Sequence, residues 1–261
     1  MKIKWLGTAT LLIQSGETTI ALDPYLKRNP KLSAIDVSEV AHADAALITH
    51  PHFDHFSDVE TFVRAGLPVV YVEQQGLDSA RKNGFSQETI DALRTIGVGE
   101  RLKVGEMTVT AYRGKHCTFD FPTVLGTLFH GRVFRCGKAL FARLKEHRRF
   151  PLKKSTTLIF DITDGNKRVT VLGSAGMKSS EVYPKGADLL VFPYQGRSGM
   201  HRYSMPFVER FQPKRVMLDH FDDAFPPITK QVNTDKFMPL LQEKYPDVKG
   251  IVPTENVWYE L

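Results

Sequence analysis

The sequence predicts an α/β protein in which helices cover β-sheets. Short runs rich in β-branched and other apolar residues recur along the whole chain, and amphipathic stretches separate several of them. The predicted strands cluster early in the chain and alternate with helices later, and the two halves are loosely alike. Such alternation is typical of sheets packed against layers of helices.

The predicted strands share high β-propensity and short length. In chain order they are IKWL, TLLIQ, TIALD, AALIT, VVYVE, MTVTAY, TTLIFDI, RVTVLG, DLLVFPY, RVMLDH and VWYEL.

Four stretches between these runs have the pattern of helices. Residues 57–66 begin with Ser57 and have Glu60 three positions later, which predicts a capping box. The remaining three are amphipathic, and two of them have a proline that fits inside the first turn. They are residues 86–97, 204–211 and 233–245.

The composition is that of an ordinary globular protein. The chain has 261 residues, of which 42% are hydrophobic and 25% are charged. Its two cysteines are too few for a disulfide framework. The first residues lack both the apolar core of a signal peptide and the roughly 20 apolar residues of a membrane span. We therefore expect a cytoplasmic protein.

The net charge of +6 is concentrated in one segment. Residues 130–154 hold nine Lys or Arg and one acid, Glu146. Apolar residues interleave with these charges over residues 119–154, so we predict a single domain, 1–261, with a basic amphipathic insert at about 119–154. The insert favours a lid over a site or a contact between protomers. Docking on an anionic membrane surface through 129–154 is an alternative, and nucleic-acid binding is a further one.

A dense group of histidines and a carboxylate follows the fourth predicted strand. The segment ITHPHFDHFSD places His50, His52, Asp54 and His55 within six positions. Imidazole and carboxylate are the usual ligands of a divalent metal where cysteine is not used. His50 and His52 can point the same way from extended backbone, and the other two follow where the chain turns. Ligand side chains that point in two directions predict a two-metal site.

The segment THPHFDHFSD resembles the signature of the metallo-β-lactamase superfamily. Asp23 in IALDPY, His116 in RGKHC and His220 in VMLDHFDD match further motifs of that family in order and spacing. The resemblance covers nearly the whole chain and implies an αβ/βα four-layer sandwich with metals at one edge. The GSAG, VFPYQG and LDHFDD segments resemble the branch of L-ascorbate-6-phosphate lactonase-like hydrolases.

This resemblance implies two divalent ions, with zinc expected and manganese or iron as alternatives. Each ion would have three protein ligands, the open arrangement of catalytic zinc. Asp54 would also orient a metal-activated hydroxide, and Asp23 would accept a hydrogen bond from the free ring N–H of a ligating histidine. The two implied sets are His50, His52 and His116, and Asp54, His55 and His220.

One position departs from the family pattern. Where most members have an Asp that bridges both ions, VTVLGSAG has Ser174. A hydroxyl is a poor ligand and brings no charge, so we expect weaker binding at the second site. A degenerate, non-catalytic metal-binding protein is the alternative.

The loop after DLLVFPY carries polar and cationic residues that are candidates for substrate binding. His201 is also a candidate for protonating a leaving group. A solvated surface loop is an equal alternative. The candidates are Tyr194, Gln195, Arg197, His201 and Arg202.

These observations predict a metal-dependent hydrolase of an ester-type bond, a lactone or a phosphoester. The excess of positive charge favours a small anionic substrate through electrostatic steering. A phosphodiesterase acting on phospholipid or nucleic acid is the alternative. The residues name neither the substrate nor the metal.

Overall fold

The computed structural model describes residues 1–26, 29–128, 137–152, 157–226 and 229–261. Its strands are β1 (Lys2–Gly7), β2 (Thr10–Ser15), β3 (Thr18–Leu22), β4 (Ala45–Leu47), β5 (Val70–Val72), β6 (Leu93–Thr95), β7 (Arg101–Val104), β8 (Met107–Arg113), β9 (Leu158–Thr163), β10 (Arg168–Leu172), β11 (Leu189–Pro193), β12 (Arg215–Asp219), β13 (Lys249–Ile251) and β14 (Trp258–Glu260).

The helices of the described residues lie mostly between strands. They are α1 (Val37–Ala41), α2 (Phe53–Phe56), α3 (Val59–Arg64), α4 (Gln74–Lys82), α5 (Gln87–Ala92), α6 (Phe121–Leu128), α7 (Gly137–Arg149), α8 (Met200–Tyr203), α9 (Met205–Phe211) and α10 (Phe237–Lys244). In this part of the chain, no helix combines the length and apolar character needed to cross a membrane.

Two seven-stranded sheets form the centre of the protein. The first has the order β14-β1-β2-β3-β4-β5-β6, and the second has the order β13-β12-β11-β10-β9-β8-β7. In the first sheet β1 to β3 are antiparallel and β3 to β6 are parallel. In the second sheet β7 to β10 are antiparallel and β10 to β13 are parallel. The two halves therefore repeat one arrangement, which explains their loose likeness in sequence.

Alternate side chains of the strands point into different apolar layers, as the two-residue period of a strand requires. Trp5 and Ile13 of the first sheet and Val109 and Phe160 of the second belong to one buried cluster. The opposite face of the first sheet packs on α2 and α3 in a separate cluster. The rings of α9 and α10 lie against Phe192 of the second sheet, with centroids 5.4 and 5.9 Å away. The predicted αβ/βα four-layer sandwich is confirmed.

The helix predicted over residues 57–66 begins differently from its sequence pattern. Ser57 is the C-cap of α2, and α3 has Asp58 as its N-cap with no capping hydrogen bond from that side chain. Glu60 accepts a hydrogen bond from the backbone N–H of Ser86 at 2.9 Å. The predicted capping box is therefore wrong, because a contact with a distant turn occupies the glutamate.

Residues 86–97 form a short helix followed by a strand. Ser86 caps α5 by accepting a hydrogen bond from the backbone N–H of Thr89, but the helix ends at Ala92. Leu93–Thr95 then pairs in parallel with β5 at the sheet edge. The prediction of one helix to Gly97 is wrong because pairing with the sheet outweighs the local helical pattern.

Candidate metal centre

The polar loops of the protein converge at one edge of the sandwich. β3 and β4 are parallel neighbours, and so are β10, β11 and β12. β8 runs in the same direction as β10, since both are antiparallel to β9. Within each sheet, the residues that follow these strands therefore lie at one edge, and the two edges meet, because residues of both sheets form the same clusters. The residues that follow the strands are Asp23, His50, His116, Ser174, Gln195 and His220.

The structure brings the six predicted ligands together in two groups of three. Within each group, one nitrogen or oxygen atom of every residue lies within 4.8 Å of the others. The two groups adjoin, because the ring centroids of His50 and His55 are 4.0 Å apart. The first cluster is His50, His52 and His116, and the second cluster is Asp54, His55 and His220.

The first cluster consists of neutral imidazoles. Nε2 of His50 lies 3.1 Å from Nδ1 of His52, and the rings of His52 and His116 are 4.6 Å apart. Ligand atoms on a tetrahedral zinc ion are separated by roughly 3.3 Å. Burial lowers the pKa of His50 far below its ordinary value, that of His52 to about 3, and that of His116. These rings therefore keep the lone pairs that a metal requires.

The second cluster holds positive charge next to a carboxylate. Oδ2 of Asp54 lies 3.1 Å from Nε2 of His220 and 3.7 Å from Nε2 of His55. Burial opposes a charged ring, but the carboxylates of Asp23 and Asp54 outweigh it and raise the pKa of His55 to about 9. Burial also opposes a charged ring at His220, but the hydrogen bond and negative charge of Asp54 outweigh it and raise the pKa of His220. A divalent cation would take the place of these protons, so both clusters are capable of binding metal.

Asp23 orients one histidine of each cluster. Its carboxylate accepts hydrogen bonds from the Thr49 backbone N–H at 2.7 Å, the Thr49 hydroxyl at 2.6 Å and His55 Nδ1 at 2.7 Å. Because the only hydroxyl proton of Thr49 goes to Asp23, its oxygen is left to accept from His50 Nδ1 at 3.0 Å. The nitrogens that face the clusters are therefore His55 Nε2 and His50 Nε2.

The rings of His116 and His220 are oriented in the same manner. His116 Nδ1 lies 2.8 Å from the carbonyl oxygen of Cys117, and His220 Nδ1 lies 2.9 Å from Oε1 of Gln195. In each case Nε2 is the nitrogen left for the cluster. Partners of this kind hold a ligating histidine in one tautomer and one orientation.

A cavity of about 400 Å³ lies over both clusters. The two clusters and His147 form its ionisable part, and most of the other lining residues are apolar. The lining residues outside the clusters are Phe53, Cys117, Phe119, Thr123, Leu144, His147, Ser174, Ala175, Pro193, Gln195, Gly196, Phe225 and Thr229.

Comparison with known proteins agrees with this fold. The family model of the β-lactamase superfamily domain matches residues 2–218. The chain belongs to the β-lactamase superfamily. A UPF0173 metal-dependent hydrolase from Pyrobaculum islandicum is 31% identical over 137 residues. That region is 50% of this chain and only 60% of the relative's length.

Two solved structures have the same fold as this protein. A metallo hydrolase from Ignicoccus hospitalis has a TM-score of 0.64 and 16% identity, covering 100% of this chain and 98% of its own. The metallo-β-lactamase fold protein YhfI from Bacillus subtilis has a TM-score of 0.65 and 15% identity, and the match covers 99% of this chain and 98% of YhfI. The likeness to the lactonase-like branch remains a prediction.

Ser174, the departure from the superfamily pattern, supports the first cluster. Its hydroxyl accepts a hydrogen bond from the Cys117 backbone N–H at 3.0 Å, and the residue is buried. The preceding residue must be glycine, because a Cβ on Gly173 would lie 2.2 Å from Cβ of Thr49. The end of β10 is therefore pressed against the loop that orients His50 and tied to the loop that carries His116.

Two superfamily motif residues occupy strained backbone. Asp23 has φ 43° and His220 has φ 50°, in the left-handed region that costs a non-glycine residue about 1–3 kcal/mol. Backbone hydrogen bonds hold both residues there, from Asp23 to Leu47 at 3.1 Å and from His220 to Thr8 at 2.8 Å. The strain turns both side chains into the site at the ends of β3 and β12.

Most of the residues predicted to bind substrate lie away from the cavity. Tyr194 is buried against Phe237, and burial raises its pKa to about 12. His201 and Arg202 lie on α8 and do not belong to the described lining. Gln195 does line the cavity, but its side-chain oxygen is engaged by His220.

Arg197, the remaining predicted substrate-binding residue, serves the loop that follows His116. Its Nη1 donates hydrogen bonds to the carbonyl and hydroxyl oxygens of Thr118 at 2.9 and 3.1 Å. Its guanidinium also lies 4.6 Å from the ring centroid of Tyr203. These contacts engage the Arg197 side chain, which does not belong to the described lining of the cavity.

Two residues of the site, His147 and Thr49, were not predicted from the sequence. The His147 ring, on α7 of the insert, lines the cavity with its centroid 5.1 Å from that of His52. Its spacing of three from Leu144 was an available signal, because both then share a helix face. Thr49 was visible as the residue directly before the first histidine. Within the predicted insert, Phe129, Val133 and Phe134 lie outside the described residues.

Proposed function

We propose that this protein is a metal-dependent hydrolase that cleaves an ester-type bond, a lactone or a phosphoester. The observation that carries the proposal is the pair of adjoining clusters at the base of one cavity. The name of the Pyrobaculum relative, a metal-dependent hydrolase, supports the reaction class. The proposed cofactor is a pair of divalent ions, with zinc favoured by the histidine-rich donor set.

The residues of the two clusters have distinct tasks in this reaction. When bound, the ions would supply an acidified water nucleophile and a Lewis acid for the carbonyl or phosphoryl oxygen. His55 and His220 hold the pKa of Asp54 well below its usual range although burial opposes this, so its carboxylate stays ionised. Asp54 lines the cavity and can accept a hydrogen bond that orients the nucleophile.

His147 is the residue that can serve the leaving group. Outside the two clusters, it is the one imidazole in the described lining of the cavity. His201, which the sequence suggested for this task, lies on α8 beside Arg202. We therefore assign protonation of the leaving group to His147, because a proton donor must reach the reacting atoms.

The test combines metal content with hydrolysis. The protein is loaded with zinc or with manganese, its metal is measured by elemental analysis, and it is assayed with γ-lactones, para-nitrophenyl esters and bis(para-nitrophenyl) phosphate. We expect two ions per chain and hydrolysis that rises with metal loading. His50→Ala and His220→Ala each remove one ligand from a different cluster and should lower kcat/KM at least about 100-fold.

A matched control uses a histidine outside the clusters and the described lining of the cavity. His42 is exposed and its ring contacts the Ser38 carbonyl, so His42→Ala should leave metal content and rate unchanged. Full metal loading with no hydrolysis of any ester, lactone or phosphodiester would contradict the proposal. That result would favour the non-catalytic metal-binding protein that Ser174 suggests.

A further inference from the structure

We propose that the substrate is an uncharged ester or lactone that carries an alkyl or acyl chain, and that this chain lies along the apolar wall of the cavity. This inference rests on the proposed function and names its substrate class. It differs from the small anionic substrate that the net charge suggested.

The inner wall of the cavity is built from buried apolar groups. Phe53 and Phe225 pack edge to face, with centroids 5.4 Å apart, and both line the cavity. Cys117 is buried, and its thiol behaves as a small apolar side chain in this wall. Ala175 and Pro193 continue the wall. An apolar chain placed here removes apolar surface of both partners from water.

Several polar side chains of the wall have partners within the protein. The oxygen of Gln195 faces His220, and the hydroxyl of Ser174 accepts from the Cys117 backbone N–H. The Thr229 hydroxyl accepts from the Phe225 backbone N–H at 2.9 Å and donates to Asp223 at 3.3 Å. The oxygen atoms of these three side chains are therefore engaged in holding the site and are less available to solvate a polar substrate group.

The described lining holds no lysine or arginine. Arg197, the predicted anchor for an anion, is engaged by Thr118 and Tyr203. Away from His147 and the metal clusters, a carboxylate or phosphate along this wall would lose hydration without gaining an ionic partner, which costs free energy. A neutral chain meets no such penalty. The metal clusters remain available for the reacting bond.

The apolar wall extends outward to the mouth of the cavity. Phe119 and Leu144 line the cavity while their side chains remain 64% and 45% exposed. Phe141 lies one helical turn before Leu144 and is 76% exposed. The cavity volume of about 400 Å³ falls within the roughly 300–1,000 Å³ of small-molecule sites. A chain that starts at the clusters can therefore reach an apolar exit formed by the insert.

The experiment measures rate against chain length on the metal-loaded protein. Para-nitrophenyl acetate, butyrate, hexanoate and octanoate are compared, together with γ-lactones that carry alkyl chains of increasing length. We expect kcat/KM to rise roughly three- to fourfold for each methylene that becomes buried. A para-nitrophenyl ester with a terminal carboxylate, the succinate monoester, should react more slowly than the butyrate.

A pair of phenylalanine variants locates the chain. Phe119→Ala should lower kcat/KM for the octanoate at least about tenfold more than for the acetate, because its ring lines the cavity. Phe121→Ala is the matched control, since Phe121 is 75% exposed and does not belong to the described lining. It should leave the dependence on chain length unchanged.

The outcomes separate this inference from the proposed function. Hydrolysis with a rate independent of chain length, or faster for the succinate monoester, overturns the inference and leaves the hydrolase intact. If no substrate is hydrolysed, the proposed function fails, and binding of alkyl hydroxamates by calorimetry decides the inference. An affinity that rises with chain length and falls in Phe119→Ala supports an apolar-chain site, and an affinity independent of chain length overturns it.

Discussion

At the scale of single residues, the site depends on side chains that touch no substrate. Thr49 is the clearest case, because its one hydroxyl proton goes to Asp23 and thereby sets which nitrogen of His50 faces the first cluster. The contact with Gly173 leaves Thr49 no room to move toward β10. The residues that orient a metal ligand are therefore needed for metal binding, as the ligand itself is.

Replacing Thr49 should weaken metal binding without removing a ligand. Thr49→Val keeps the shape but removes the acceptor for His50 Nδ1, so we expect metal affinity to fall about 10–100-fold. Competition with a chromophoric chelator measures this. Thr49→Ser retains the hydroxyl and should bind metal nearly as the native protein does. Equal affinity in the Val and Ser variants would contradict the assigned role.

Ser174 allows a direct test of the missing bridging carboxylate. Ser174 lines the cavity, so Ser174→Asp adds a negative charge where the superfamily pattern places one. We expect the second ion to bind about tenfold or more tightly, as calorimetric titration would show, because an ionised oxygen is a far better ligand than a hydroxyl. Ser174→Asn has nearly the same shape without the charge and should not strengthen binding. Equal affinities for the second ion in the Asp and Asn variants would show that the missing negative charge does not weaken binding at the second site.

At the scale of elements, the insert is anchored where α7 ends. Phe150 is 2% exposed and lies against Phe56 and Phe85, with centroids 6.2 and 6.3 Å away. Asn83 donates to the Arg149 carbonyl at 2.8 Å and accepts from Nε of Arg149 at 3.0 Å. This attachment to α2 and α4 sets where His147 and Leu144 stand over the cavity.

Removing the aromatic anchor should destabilise the protein. Phe150→Ala leaves a void beside the rings of Phe56 and Phe85 and should lower the free energy of unfolding by about 3–5 kcal/mol. Urea denaturation followed by circular dichroism measures the change. Phe141→Ala removes the same ring from an exposed position on α7 and should change stability by less than about 0.5 kcal/mol. Similar losses in both variants would contradict the anchoring role.

At the scale of the whole molecule, each cluster joins the two halves of the chain. The first cluster combines residues after β4 of the first sheet with His116, which follows β8 of the second. The second cluster combines residues of α2 with His220, which follows β12. Direct backbone hydrogen bonds also connect the halves here, from Leu158 to Thr49 and from His220 to Thr8, both 2.8 Å. Bound metal would therefore cross-link the sandwich at one edge.

Metal removal should consequently lower thermal stability. Each ion present at about 100 times its Kd stabilises the folded state by about 2.7 kcal/mol, which corresponds to a Tm shift of roughly 5–10 °C per ion at this size. Differential scanning calorimetry before and after dialysis against a chelator measures the shift, and added zinc should reverse it. The double variant His50→Ala/His220→Ala should show a low Tm that the chelator does not change. A native Tm unaffected by chelation would contradict the cross-link.

The sequence predicted the fold class and the grouping of the histidines, but it failed at contacts between distant segments. His50, His52, Asp54 and His55 lie within six positions, so their proximity required no knowledge of the fold. The end of α5 at Ala92 was missed because β6 forms only by pairing with β5. The roles of Gln195 and Arg197 were missed because a polar loop does not reveal which of its side chains turn inward.

The ligand types and their order along the chain are properties of local sequence, because a motif of six residues already limits which donors can converge. The neutral state of the first cluster, the positive charge of the second and the apolar wall of the cavity arise only in the folded protein. Each depends on burial and on contacts such as that between His220 and Gln195, 25 positions apart. Burial and long-range contacts form only when the two sheets pack on one another. The motif therefore supplied the ligands, and the tertiary structure set their charge states and the apolar surroundings of the site.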